Sequence, residues 1–160
     1  MDQSPETRIG TILRDRRQTI ALAESCTGGL ISDRITDVPG SSAYFLGGIV
    51  AYAYQAKVDL LEVSWQTLNA HGAVSREVVL EMAEGARHAL KADLAASVSG
   101  IAGPGGGTDA KPVGLVWIAL VAPGGKWTHE YRFPGEREEI KSQAADAVLR
   151  MILEYLEGKL

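Results

Sequence analysis

TIALAESCTGGLISDRITDV, residues 19–38, changes character twice along its length. Thr19 to Ala23 is a short apolar run of strand length, and AESCTGG (23–29) is small and polar and closes on two glycines. From Gly29 onward Leu30, Ile31 and Ile35 recur at helical spacing until Pro39-Gly40 stops them. A strand that hands a small polar loop to the mouth of a helix is the building unit of open α/β sheets. Such a loop turns backbone N–H groups, and the positive end of the helix dipole, toward whatever lies there. It is a place for an anion, or for the oxyanion of acyl transfer, which needs fixed donors about 3 Å away.

Working outward, Ser4 before Pro5 predicts a helix N-cap and first residue, with Ile9, Ile12 and Leu13 on one face of a helix reaching Arg17. YFLGGIVAY (44–52) is aromatic and β-branched and reads as a buried strand, followed by a helical segment from Gln55 to Leu61. SWQTLNAHG (64–72) reads as a capped short helix ending at Gly72. Ser75 caps a longer helix in which Val78, Val79, Met82, Ala83, Ala86 and Leu90 share a face. LAASVSGIA (94–102) is a small-residue strand running into GPGGGTDAKPVG (103–114). GLVWIALVAPGG and KWTHEYRFPG then pair as a hairpin through Pro123-Gly124-Gly125. The last helix repeats Ile140, Ala144, Ala147, Val148, Met151, Ile152, Tyr155 and Leu156 at a 3.6 period. These elements imply a three-layer α/β/α sandwich on a mixed sheet, one domain over residues 1–160, without repeats or a linker.

Composition narrows the function classes. A chain of 160 residues, 46% apolar, suffices for one well-buried core and is short for two domains. The net charge of −4 comes without a basic stripe, which argues against a nucleic-acid partner. The longest uncharged stretch, VPGSSAYFLGGIVAYAYQA (38–56), contains Pro, Gly, Ser, Tyr and Gln and does not read as a membrane span. The single cysteine has no internal disulfide partner, and MDQSPETRIG lacks the basic and apolar segments of a secretory signal; both point to the cytoplasm. No His/Cys cluster has metal-ligand spacing, so neither a metal nor a cofactor is expected.

Ser25, Cys26 and Thr27 stand side by side as possible nucleophiles, outside any G-x-S-x-G elbow. Plain N-capping by Ser25 or Thr27 is the alternative, and spacing alone does not choose. Gly28 and Gly29 would let a substrate approach the backbone without meeting a Cβ. A base must come from elsewhere. His71 sits at a helix end, His88 on a helix flank and His129 in a hairpin strand, which makes all three poor candidates. Lys57 ends the otherwise apolar AYAYQAK; burial would lower its pKa and yield a neutral amine, whereas a snorkelling surface lysine is the simpler reading. GIAGPGGGTDAKPVG (100–114) could hold a phosphate through successive N–H groups, or be a flexible turn; it is neither a Walker A loop nor a dinucleotide fingerprint. Arg137, opening the last helix, would clamp a phosphate or lie solvated.

Taken together, AESCTGG, TDVPGSSAYFLGGIVAY with Lys57 following Tyr52, AHGAVS, SGIAGPGGGT with KPVG, and FPGER resemble the nicotinamide mononucleotide deamidase family, which is also the family of the C-terminal domain of competence/damage-inducible protein A. The likeness runs through almost the whole chain in order. It implies hydrolysis of the carboxamide of nicotinamide mononucleotide to nicotinic acid mononucleotide and ammonia, by a serine-lysine amidohydrolase without cofactor. Ser25 maps to the nucleophile, Lys57 to the base and Tyr52 to a functional tyrosine that could relay the proton. Cys26, Thr27, Gly28 and Gly29 would contact the substrate's reacting end, and Gly103, Gly105, Gly106, Thr108 and Arg137 its phosphate. The family further implies a homo-oligomer, a dimer, and longer members carry an N-terminal domain associated with nucleotide pyrophosphatase activity. This sequence departs from the family in having Ala53-Tyr54 where Ser-Asn is frequent, which bears on proton shuttling or selectivity, and Ser99 where Thr is frequent. A cysteine amidase using Cys26, and a noncatalytic nucleotide-binding module, are the competing readings.

Overall fold

Alternation within the strands decides the layers. In β1 (Ile20–Glu24), Ile20 and Leu22 join one apolar cluster and Ala21 and Ala23 another, on the opposite side of the sheet. β3 (Leu94–Gly100) divides the same way, Leu94, Ala96 and Val98 against Ala95. In β4 (Leu115–Ala122), Val116, Ile118 and Leu120 face the first side, and Ala119 and Val121 the second. The large-residue face is covered by α1 (Pro5–Arg16), α2 (Leu30–Thr36) and α6 (Arg137–Leu156). The small-residue face is covered by α3 (Tyr54–Leu61), α4 (Trp65–His71) and α5 (Arg76–Leu90). The computed structural model describes residues 3–160; Met1 and Asp2, the first two residues of the expected domain, lie outside them.

The expected sandwich is present: β2 (Phe45–Val50) and β5 (Gly125–Arg132) complete a five-stranded sheet of order β2-β1-β3-β4-β5. β1 runs parallel to β2 and β3, and β4 runs antiparallel to β3 and β5. Helix starts follow the sequence signals, with Ser4, Ser64 and Ser75 accepting from the amides of Thr7, Thr67 and Val78. Glu136 and Glu139 form a reciprocal capping box on α6. Among the described residues no helix is long and apolar enough to cross a membrane.

Two expectations are corrected. The stretch 44–52 is not a buried strand: β2 is an edge, paired only with β1, and its residues alternate between half-buried and exposed. Its composition suits burial on two faces, but β3 occupies the other flank of β1 and leaves β2 outermost. The hairpin is also one residue tighter, since Ala122 already faces Gly125 across Pro123-Gly124.

Strand order places the site. The chain leaves β1 for β2 on one flank and returns to β3 on the other, so the carboxyl ends of β1 and β3 form the topological switch point where open α/β sheets place their sites. On the small-residue side, α3 reaches that end of the sheet by packing on α5, and a Cβ added at Gly85 would drive into the carbonyl of Leu61. In an exposed helix Gly→Ala is stabilising by about 1 kcal/mol. At Gly85 the sign reverses: Gly85→Ala should destabilise by about 2 kcal/mol or more through overpacking, seen as a lower urea midpoint at unchanged slope.

Candidate active site

The loop after β1 is seated by its neighbours. The Ser25 amide donates to the carbonyl of Val98 on β3 at 3.2 Å, and the Gly28 amide closes a turn onto the carbonyl of Ser25 at 3.1 Å. Gly28 and Gly29 have φ of 61° and 106°, a region side-chain-bearing residues avoid, so backbone geometry itself demands the glycine pair. Gly28 also faces open space, as the approach of a substrate would require. The amides of Thr27 and Gly29 have no protein acceptor among the described residues.

The mouth of α2 is filled from within. Glu24 is 0% exposed, and its carboxylate accepts from the amides of Ile31 and Ser32, each at 3.0 Å, from Ser32 Oγ at 2.7 Å and from Thr27 Oγ1 at 2.6 Å. The Thr27 hydroxyl is thus buried and engaged by Glu24, which leaves the Thr27 amide as the group of this residue available to a substrate. Glu24 is a site residue that no sequence motif singles out. Its signal is a carboxylate at a strand end with hydroxyls three and eight residues on.

Lys57 lies on the second turn of α3, from which a long side chain leans back toward the helix N-terminus. There Nζ meets the carbonyls of Ala51 at 2.8 Å and Tyr52 at 3.0 Å, and Ser25 Oγ at 2.9 Å. Ala51 is held in turn, its amide donating to the Glu24 carbonyl at 2.9 Å. The side chain is 1% exposed, and burial lowers its pKa to about 8. The three partners are not equivalent. Carbonyls only accept, so in the neutral amine the two N–H bonds stay on Ala51 and Tyr52, and the lone pair is left for the one partner able to donate, the Ser25 hydroxyl.

Cys26 is packed rather than poised. Its sulfur would lie 3.1 Å from a Cβ at Gly100, which shows how closely the thiol fills that end of β3, and burial pushes its pKa up to about 12. The cysteine amidase needs a stabilised thiolate and has none here. Tyr52 is corrected as a proton relay: its side chain is 60% exposed and its hydroxyl accepts from Arg137 Nη2 at 3.0 Å, while its carbonyl is what touches Lys57. Arg137 Nη1 reaches the Gly103 carbonyl at 2.6 Å, so Arg137, Gly103 and Tyr52 do meet. Both terminal nitrogens are thus engaged by protein, and a bidentate grip on phosphate requires one of these contacts to yield. Gly105 and Gly106 are exposed beyond them. Thr108 closes its own turn instead, accepting from the Lys111 amide at 3.0 Å and donating to the Lys111 carbonyl at 2.8 Å. Tyr54, at the unusual position, accepts from the Ala73 amide at 3.3 Å and lies 6.4 Å from Trp65, ring to ring.

A family model described as the CinA C-terminal domain matches residues 2–156. A putative competence-damage inducible protein of Desulforamulus reducens is 49% identical over 158 residues, covering 99% of this chain and 38% of the relative. A CinA-like protein of Geobacter sulfurreducens is 51% identical, covering 92% of this chain and 36% of the relative. The chain therefore spans less than two-fifths of the length of these curated relatives. The crystal structure of a competence/damage inducible protein from Agrobacterium tumefaciens superposes with a TM-score of 0.92 at 43% identity, over 96% of this chain and 93% of that one. A CinA superfamily protein from Klebsiella pneumoniae gives 0.92 at 34% identity, over 98% and 99%.

Burial of Lys57 has a pH signature. Between about 8 and the unfolded value of 10.5 the unfolded chain binds a proton that the folded chain does not, so stability rises with pH across this window; below it the full penalty applies. Relative to Lys57→Met, the wild type should gain on the order of 3 kcal/mol between pH 7.5 and 10.5 in chemical denaturation. Parallel pH dependences would show that Lys57 keeps its ordinary value.

Proposed function

The chain belongs to the CinA C-terminal domain family, and we propose that it is a nicotinamide mononucleotide deamidase working through Ser25 and Lys57. The observation that carries this reading is the 2.9 Å approach of Lys57 Nζ to Ser25 Oγ, with two carbonyls fixing the amine's remaining hydrogens. An amine so placed is a general base that needs no histidine.

Neutral Lys57 takes the Ser25 hydroxyl proton directly as Oγ attacks the carboxamide carbon. The amides of Thr27 and Gly29 are the donors for the oxyanion. As the tetrahedral intermediate collapses, the C–N bond breaks, the proton on Lys57 goes to the departing nitrogen and ammonia leaves. Water then adds to the acyl-enzyme, giving its proton to Lys57, and Ser25 departs reprotonated with release of the acid. The cationic pyridinium withdraws electrons from the carbonyl carbon, which favours attack. The phosphate supplies binding energy remote from the reaction, with the Arg137 guanidinium beside Gly103 as its donor.

Purified protein should release ammonia from nicotinamide mononucleotide faster than from nicotinamide or simple amides. Ser25→Ala should lower that rate at least about a thousand-fold while mononucleotide binding persists. Turnover surviving in Ser25→Ala would remove the nucleophile; thermal stabilisation by the mononucleotide without ammonia release from the wild type would favour the noncatalytic binding module. Arg137→Ala should raise KM about ten-fold or more for the mononucleotide and leave the dephosphorylated riboside unaffected. Equal losses on both would rule out a phosphate contact.

A further inference from the structure

Glu24 lies beside the proposed nucleophile without touching the reacting atoms, and its surroundings are more elaborate than helix capping requires. Four donors converge on one carboxylate, which is about the acceptor capacity of an ionised carboxyl group. They come from the Ser25 turn, through Thr27, and from the first turn of α2, through Ile31 and Ser32. β2 makes room for the cluster: a Cβ at Gly48 would collide with Ser32 Oγ. The backbone of Glu24 acts in the other direction, its carbonyl holding the amide of Ala51, whose own carbonyl anchors Lys57 Nζ. One residue is therefore bonded to both halves of the Ser25–Lys57 pair, the nucleophile's turn through its side chain and the base's anchor through its main chain. A fully buried carboxylate is costly to place, and α2 is only seven residues long, so capping such a helix is a small return for that cost.

Resting on the serine-lysine reading above, we propose that Glu24 is a positioning residue that locks the Ser25 turn so that Oγ stays within proton-transfer reach of Lys57. The carboxylate fixes the turn from behind, and attack geometry is lost when its donors are removed singly, before the fold is. Small misplacements of a reacting group cost large factors in rate, so the effect falls on the chemical step.

The test uses a probe independent of the natural substrate. Phenylmethanesulfonyl fluoride labels an activated serine: Oγ attacks sulfur, an O–S bond replaces S–F, fluoride leaves and the hydroxyl proton passes to Lys57. Labelling rates are followed by intact-mass spectrometry across pH in the wild type, Ser32→Ala, Thr27→Val, Thr27→Ser and Glu24→Gln, with Tm recorded for each. Ser32→Ala and Thr27→Val should label about ten-fold or more slowly per folded molecule, with the pH midpoint unmoved because Lys57 is untouched. Thr27→Ser, which keeps the hydroxyl, should recover most of the loss. Glu24→Gln should be slowest, since its amide nitrogen faces backbone donors. Wild-type labelling rates in Ser32→Ala and Thr27→Val, alongside a lowered Tm, would make Glu24 purely structural and overturn the proposal. Absence of labelling in the wild type would overturn both this role and the serine mechanism. Normal labelling slowed by the variants, with no ammonia from the mononucleotide, would sink the deamidase reading alone and leave the role of Glu24 standing.

Discussion

Lys57 carries an amine that the fold has taken out of water, and much of the surrounding architecture follows from how that amine is satisfied. Its carbonyl partners belong to Ala51 and Tyr52, where the chain leaves the sheet edge and turns into α3. Its third partner belongs to the turn after β1. These pieces are adjacent because the strand order reverses at β1, which makes the ends of β1 and β3 the switch point of the sheet.

The site holds a second buried ionisable side chain, and the two are kept apart. Glu24 takes its bonds from Thr27, Ile31 and Ser32, while Lys57 takes its bonds from carbonyls and a hydroxyl. A direct ion pair would favour the charged amine and raise its pKa, which would disable it as a base. Neutral oxygens around Lys57 satisfy its hydrogens without that effect, so burial dominates and the pKa falls to about 8. The carboxylate contributes order to the turn and leaves the amine's basicity to desolvation.

Periodicity made much of the fold legible. The switch from an apolar run to helical spacing across residues 19–38 marked the β1–loop–α2 unit, and Ser4 and Ser75 marked helix starts because capping is a local bond. What failed depends on neighbours distant in sequence. β2 has the composition of an interior strand, and only the placement of β3 makes it an edge. Thr27 and Tyr52 were placed correctly along the chain, but the destinations of their hydroxyls, Glu24 and Arg137, are tertiary facts. Lys57 is the sharpest case. Its residues alone left a surface lysine as the simpler reading, and family resemblance, rather than any spacing rule, joined it to a serine 32 positions earlier.

How deeply that lysine sits is governed from the far side of its helix. Lys57 and Leu61 are the buried residues of α3, one turn apart on the same face, so they move into the protein together. Leu61 can reach its depth because α5 offers Gly85 beneath its carbonyl, and the turn that follows is completed by Glu62 in the left-handed conformation. α5 in turn lies close to the sheet because Ala95, Ala119 and Ser97 present little bulk on that face, and the Ser97 hydroxyl bonds the Val79 carbonyl. Small residues on one side of the sheet thus set the height of α5, α5 sets the height of α3, and α3 brings an amine down onto Ser25. The apolar packing and the proposed chemistry are one continuous constraint, running from the middle of the sheet to the proton that Lys57 accepts.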